Sequence, residues 1–281
     1  MMTGPLVSLS AAQLEIWLAQ ALEPDSPSYT VGEVIHLPGS LDLDCFERAL
    51  RQTVDETDAL HVRFSRSDRG PVQRLGVRPR WHLVQEPTLL RSNADLSARL
   101  AHELATPINI EGDCLARSLL LRFEDGHFAW CQLYHHIAMD GYARALFAKR
   151  VANIYSGLVA GRDPQPVSFA AFAELLAADR DYRASDDASR DRAYWRNELD
   201  GFVHGASAAG HGPKSDGFRR QTEYLSTSLT TALQTVAVTT GLSIATILCA
   251  AAAVISSSSR GSGDIVIGFV VSARSGEVAR T

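Results

Sequence analysis

Along the 281-residue chain, apolar positions switch repeatedly between helical and strand spacing. In AAQLEIWLAQAL, residues 11–22, the residues Leu14, Trp17, Leu18 and Leu22 fall on one helical stripe, and Ser10 stands where a cap is needed, so a helix is predicted. EPDSPSY breaks it, and YTVGEVIHL alternates as a strand does. Residues 42–57 place Phe46, Leu50 and Val54 at helical spacing, and LHVRF at 60–64 returns to strand character. Short strands are predicted at 71–75 and 81–84, and a helix at 94–105. ARSLLLRFEDGHFAWCQLYHH reads as a hairpin, with Asp125-Gly126 as a two-residue turn between apolar runs.

GYARALFAKRVANIYSGLVAG carries Leu146, Phe147, Val151, Ile154, Tyr155 and Leu158 on one stripe and predicts a helix that stops at Gly161. A loop, GRDPQPVS, precedes two polar-faced helices near 168–182 and 185–199. GFVHGASAAGHGPKSDG has no periodicity and reads as a linker or mobile loop. A strand around 219–228, helices near 230–239 and 243–256, and a short buried strand in DIVIGFVV complete a mixed α/β pattern without internal repeats.

Composition narrows the function classes. Hydrophobic residues make up 46% of the chain, ordinary for a globular protein with a sizeable core. With 27 basic and 32 acidic residues the net charge is −5 and no basic block appears, which argues against nucleic acid as a partner. The opening MMTGPLVSLS lacks the charged and apolar regions of a secretory signal. The longest apolar run, Ile244 to Ile255, is too short to span a bilayer, so a cytoplasmic protein without a membrane partner is expected. Cys45, Cys114, Cys131 and Cys249 lie far apart in apolar settings with no C-x-x-C pairing, which favours buried free thiols over a disulfide or metal set.

The candidate chemistry lies in YHHIAMDG, residues 134–141, where a predicted strand gives way to a helix. A neutral imidazole there can take a proton from an amine or alcohol near pH 7. Asp140 can orient the loop by pairing with an arginine elsewhere, and Gly141 allows a close turn. Backbone N–H groups opening the next helix can favour a developing negative charge. Together these roles describe acyl transfer, while the residues alone leave a purely structural histidine pair open. A metal is poorly served: His136 and Asp140 offer two ligands, no third is nearby, and His135 points the opposite way if the strand continues. The chain has no G-x-S-x-G elbow, P-loop or G-x-G-x-x-G fingerprint.

HHIAMDG matches the HHxxxDG motif of the condensation domains of nonribosomal peptide synthetases. LSAAQLEIW resembles that family's first motif, ALHVRF its second, YWRNEL a later helix, and DIVIGFVVSAR its G-x-x-V-x-x-R strand and loop. These occur in the family's order over almost all of the chain. AAQ-x-x-IW, YHH and ANIY bring it nearest to the N-terminal condensation domains of siderophore-type synthetases.

The resemblance implies a two-lobed fold like chloramphenicol acetyltransferase, with residues 1–175 as the N-terminal lobe and 176–281 as the start of an incomplete C-terminal lobe. It implies a tunnel to which donor and acceptor carrier proteins bring thioesters on phosphopantetheine arms, with no cofactor covalently bound to the chain and an adenylation domain adjoining in a longer synthetase. It makes His136 the catalytic histidine, gives His135 and Asp140 structural roles, lets Gly141 shape the turn, and offers Arg274 as the partner of Asp140.

Two departures stand out: His61 follows Leu60 where the family's second motif has arginine, so Arg63 is the candidate to serve instead, and Glu15 replaces a common arginine. The family's later motifs are missing before Thr281, so a fragment of a longer protein, or a shortened and inactive one, is expected. An epimerization domain, a stand-alone coenzyme A acyltransferase and a degenerate carrier-binding module are the alternatives on this fold.

Overall fold

The computed structural model describes residues 4–112, 114–166, 169–201, 223–260 and 265–270. They form two compact units, one reaching Ala188 and the other beginning at Ser189.

The first unit holds β1 (Leu6–Ser8), α1 (Ala11–Leu22), β2 (Thr30–Leu37), α2 (Leu43–Glu56), β3 (Arg63–Ser67), β4 (Gly70–Arg74), β5 (Leu83–Leu90), α3 (Asn93–Ala105), β6 (Ala116–Phe123), β7 (Phe128–His135), α4 (Gly141–Val159) and α5 (Phe172–Arg183). Helix α6 (Asp186–Glu198) crosses into the second unit, which contains α7 (Thr227–Thr240) and α8 (Ile244–Arg260). A small sheet has the order β1-β4-β3, and the main sheet the order β2-β7-β6-β5.

β7 is antiparallel to both neighbours, from Thr30↔His135 to Leu37↔Phe128 on one side and from Ala116↔Tyr134 to Arg122↔Phe128 on the other. All eight of its residues are buried. Trp130 and Tyr134 pack with Phe46, Leu50 and Val54 of α2 and Phe147, Val151 and Ile154 of α4. On the opposite face, Cys131 and Leu133 join Leu119, Leu121 and Leu96 of α3. A third cluster gathers Trp17 of α1, Phe64 of β3, Leu115, Ile137 and Phe172 of α5. These apolar faces explain why α2 and α4 form where periodicity predicts them: their buried stripes need the sheet as a partner.

Several expectations are corrected. On α1, Leu18 and Leu22 are 50% and 84% exposed, and the buried face is Gln13, Trp17 and Gln20 instead. LHVRF begins as a 3₁₀ turn, Asp58–Leu60, so β3 starts only at Arg63. β1, which was not expected, pairs with β4. β5 continues to Leu90 despite Pro87, because it is an edge strand whose register shifts between Gln85 and Leu89, which accommodates the missing N–H. Asp125-Gly126 does turn the hairpin, with Gly126 at φ 94°, but residues 124–127 all lie outside the strands.

In the second unit, residues 223–226 are not strand and Ser226 caps α7. Residues 265–270, expected as a buried strand, belong to no strand and are largely exposed, with no neighbouring strand among the described residues to pair with. Most of the expected linker lies outside the described residues. The four cysteines are free, but only Cys131 is fully buried, and burial pushes its thiol up to about 12. Among the described residues no single helix is long and apolar enough to cross a membrane.

Arg150 of α4 is 3% exposed and is held by Glu56 of α2 through Nε–Oε2 and Nη2–Oε1 contacts of 2.6 and 2.8 Å. Burial pushes the Glu56 carboxyl up, but the hydrogen bonds and charge of Arg150 outweigh it and leave the group below its ordinary 4.5. A carboxylate so depressed stabilises the fold above its unfolded pKa, and that stability is lost as pH falls through the folded value. Replacing Glu56 by Gln is expected to cost roughly 3 kcal/mol at pH 7. Urea titrations of both proteins from pH 7 to pH 3 should show the gap closing below about pH 4.5; a gap independent of pH would contradict this account.

Candidate active site

At the end of β7 the backbone leaves the sheet in a few ordered steps. The N–H of His135 donates to the Leu115 carbonyl at 2.9 Å, and that of His136 to the Tyr29 carbonyl at 2.8 Å. The N–H of Ala138 then donates to the His135 carbonyl at 3.0 Å, closing a turn. Ile137 and Met139 are buried, in the third cluster and the main core respectively, while His136, just before them, is exposed. Two apolar anchors therefore hold a polar residue outward.

The adjacent histidines occupy different environments. His135 is 1% exposed; its Nδ1 accepts from the Ile137 N–H at 3.2 Å and its Nε2 lies 3.3 Å from Oε1 of Gln20. Burial, assisted by the charge of His136, lowers its pKa to about 4, so this imidazole is neutral near pH 7. His136 has no hydrogen bond from its ring to any described residue.

Asp140 is the N-cap of α4: its Oδ1 accepts from the Ala143 N–H at 2.8 Å and its carbonyl from the Arg144 N–H at 3.1 Å. The sequence suggested helix-opening N–H groups ready for a developing charge, whereas the one at Ala143 is already taken by Asp140. Gly141 is not forced by the turn either. Its φ lies outside the left-handed region, and an added Cβ would meet only the Arg144 guanidinium, at an ordinary 3.7 Å. Arg144, one turn on, reaches the Gly32 carbonyl at 3.4 Å through Nη1, and its Nε is buried without a described partner, as is the Tyr134 hydroxyl. Burial keeps that phenol protonated by pushing its pKa well above the ordinary range.

His61, the main departure from the family's pattern, is a satisfied buried residue. Its Nε2 donates to the Val54 carbonyl in the last turn of α2 at 3.0 Å, and its N–H to the Asp58 carbonyl at 2.8 Å, closing the 3₁₀ turn. Arg63 is buried in β3, with Nη1 donating to the Val62 carbonyl at 3.2 Å. Glu15 is exposed, as surface solvation would have it. Arg274 lies outside the described residues. No group of His, Cys, Asp and Glu able to hold a metal occurs among the described residues.

Sequence reasoning missed two glutamines that grip this turn. Gln13 forms a reciprocal amide pair with Gln73 of β4, at 3.1 and 2.8 Å, and reaches the Ile137 carbonyl at 3.4 Å. Gln20 contacts His135. Their seven-residue spacing on one helical face was the available signal.

The profile described as "Condensation domain" matches residues 6–281. The dimodular nonribosomal peptide synthase of Bacillus subtilis (strain 168) is 32% identical over 275 residues, which is 97% of this chain and 12% of that protein. Enterobactin synthase component F of Shigella flexneri is 29% identical over 201 residues, covering 66% of this chain and 15% of its own. Among solved structures, the first condensation domain of the calcium-dependent antibiotic synthetase, in complex with substrate analogue 3a, superposes with a TM-score of 0.90 at 27% identity, covering 100% of this chain and 67% of that one. The chain thus spans less than a fifth of the length of either synthetase.

The cap assigns Asp140 a measurable share of stability. Asp140→Ala should cost about 1 kcal/mol, and Asp140→Asn, which keeps an acceptor oxygen, should recover most of it in urea unfolding. An Asn variant as unstable as the Ala variant would show that the charge matters more than the cap.

Proposed function

The chain belongs to the condensation-domain family, and on that premise we propose that it joins a donor acyl or aminoacyl group to an acceptor amino acid as an amide, both delivered as thioesters by carrier proteins of a longer synthetase. The observation that carries this reading is the exposed imidazole of His136, set directly after a buried, neutral and fully partnered His135 at the end of β7. One histidine is committed to holding the turn. The other is left to meet a substrate.

In this reading the acceptor amine attacks the donor carbonyl carbon and the C–N bond forms as the C–S bond breaks. The proton lost by the amine passes to the His136 imidazole and from there to the departing thiolate, so no net acid or base is consumed. Positioning the amine contributes alongside proton transfer, because both thioesters arrive tethered. The phosphopantetheine arms belong to the carriers, and the chain itself holds no covalent cofactor.

Further assignments complete the proposal. Arg274 pairs with Asp140, Arg63 supports the second motif, and the lobes divide near residue 175. An adenylation domain adjoins in the same cytoplasmic synthetase, whose product class includes siderophores, as the likeness to enterobactin synthase component F supports.

The test is His136→Ala in the full synthetase with both carriers loaded. Amide formation should fall about 100-fold or more while carrier binding is unchanged. An unaltered rate would remove His136 from the mechanism, and inversion of a carrier-bound residue without a new amide would mean epimerization instead.

A further inference from the structure

Helix α1 sends Gln20 into the protein with 7% of its surface exposed, and a buried amide is tolerated only where both ends are partnered. Its nitrogen faces three backbone carbonyls, those of Glu23 at 3.0 Å, Pro24 at 2.9 Å and Ser26 at 3.1 Å. Carbonyls only accept, so this end must be the NH₂ group and the oxygen must face His135. That oxygen can only accept, so the proton of His135 sits on Nε2. The Ile137 N–H can only donate, and it independently requires a bare Nδ1 on the same ring. Two unrelated contacts thus select one tautomer.

The same amide acts on the turn by a second route. It ties down residues 23–26, which lead into the 3₁₀ turn Pro27–Tyr29, and the Tyr29 carbonyl receives the backbone N–H of His136. Tyr29 also lays its ring 6.2 Å from that of His135. The residues before and after His136 are therefore both held by groups that Gln20 fixes.

We propose that Gln20 is a positioning residue for acyl transfer: its amide holds His135 in the Nε2–H tautomer that secures the Ile137 N–H, and so sets the direction of the His136 imidazole. This rests on the reading of His136 as the group that meets the acceptor amine. A charged His135 would present Nδ1–H to the Ile137 N–H, donor against donor. The depressed pKa of about 4 agrees with the need for a neutral ring.

The experiment is a double-mutant cycle in the full synthetase with loaded donor and acceptor carriers, scored by amide product, with carrier KM and kcat measured separately. Gln20→Met keeps length but removes both hydrogen-bonding ends; kcat should fall roughly tenfold with carrier KM unchanged. His135→Leu should lower kcat also, and adding Gln20→Met to it should cost less than about twofold more. A folded Gln20→Met protein with wild-type kcat, or independent losses that multiply in the double variant, would overturn the proposal. If Gln20→Met does not fold, ¹H–¹⁵N NMR of the wild-type protein showing the His135 proton on Nδ1 instead of Nε2 would overturn it equally. Failure of the functional reading shows separately, as a wild-type synthetase that forms no amide or a fully active His136→Ala variant.

Discussion

Strand β7 is buried on both faces along its whole length, so its backbone N–H and C=O groups must be answered from within the protein. Its backbone is served by β2 and β6, which pair with it residue by residue, and its side chains by helices on either side of the sheet. Nothing on such a strand can touch a substrate until the strand stops. The first place where a side chain can turn outward is the residue after His135, and that residue is His136. The location of the candidate chemistry follows from the limits of burial.

Identical neighbours are made different by this boundary. His135 shares the buried condition of the strand and acts as a small polar bracket, one nitrogen giving and the other receiving. His136, a single residue on, has no described partner for its ring. The turn leading on to α4 buries Ile137 and Met139 and packs Ala138 against both of their clusters, so its course is fixed by apolar packing as well as by hydrogen bonds. Asp140 then closes the helix end and satisfies a donor that would otherwise compete for any nearby anion.

Much of this was legible in the sequence because it depends on local periodicity. The stripes of α2 and α4, the hairpin at Asp125-Gly126 and the cap at Ser10 are read from residues a few positions apart, and each occurs close to where it was expected. Gln13 and Gln20 were not legible. Polar residues in an amphipathic helix read as solvent-facing, and here the amides take the buried face while Leu18 and Leu22 face out. Burying an amide requires partners, and these come from β4, from the loop after α1 and from a histidine more than 100 positions away. β5 was cut short for a related reason: Pro87 is a strand breaker unless the strand lies at an edge, and edge position is a property of the whole sheet. His61 looked like a defect in a motif because its partner, the Val54 carbonyl, becomes visible only at the folded end of α2.

The pairing of β2 with β7 has a temporal side. The two strands lie about a hundred residues apart in the chain, so on a ribosome adding roughly 5–20 residues per second β2 waits several seconds with no β7 beside it. β6 cannot fill the gap, since it occupies the other edge of β7. The main sheet and the histidine turn are therefore completed by the same event, the docking of the segment that ends in His135. A nascent chain has no stage at which the sheet is whole and the turn still unmade, and β2 spends that interval as an open edge that must be kept from other chains.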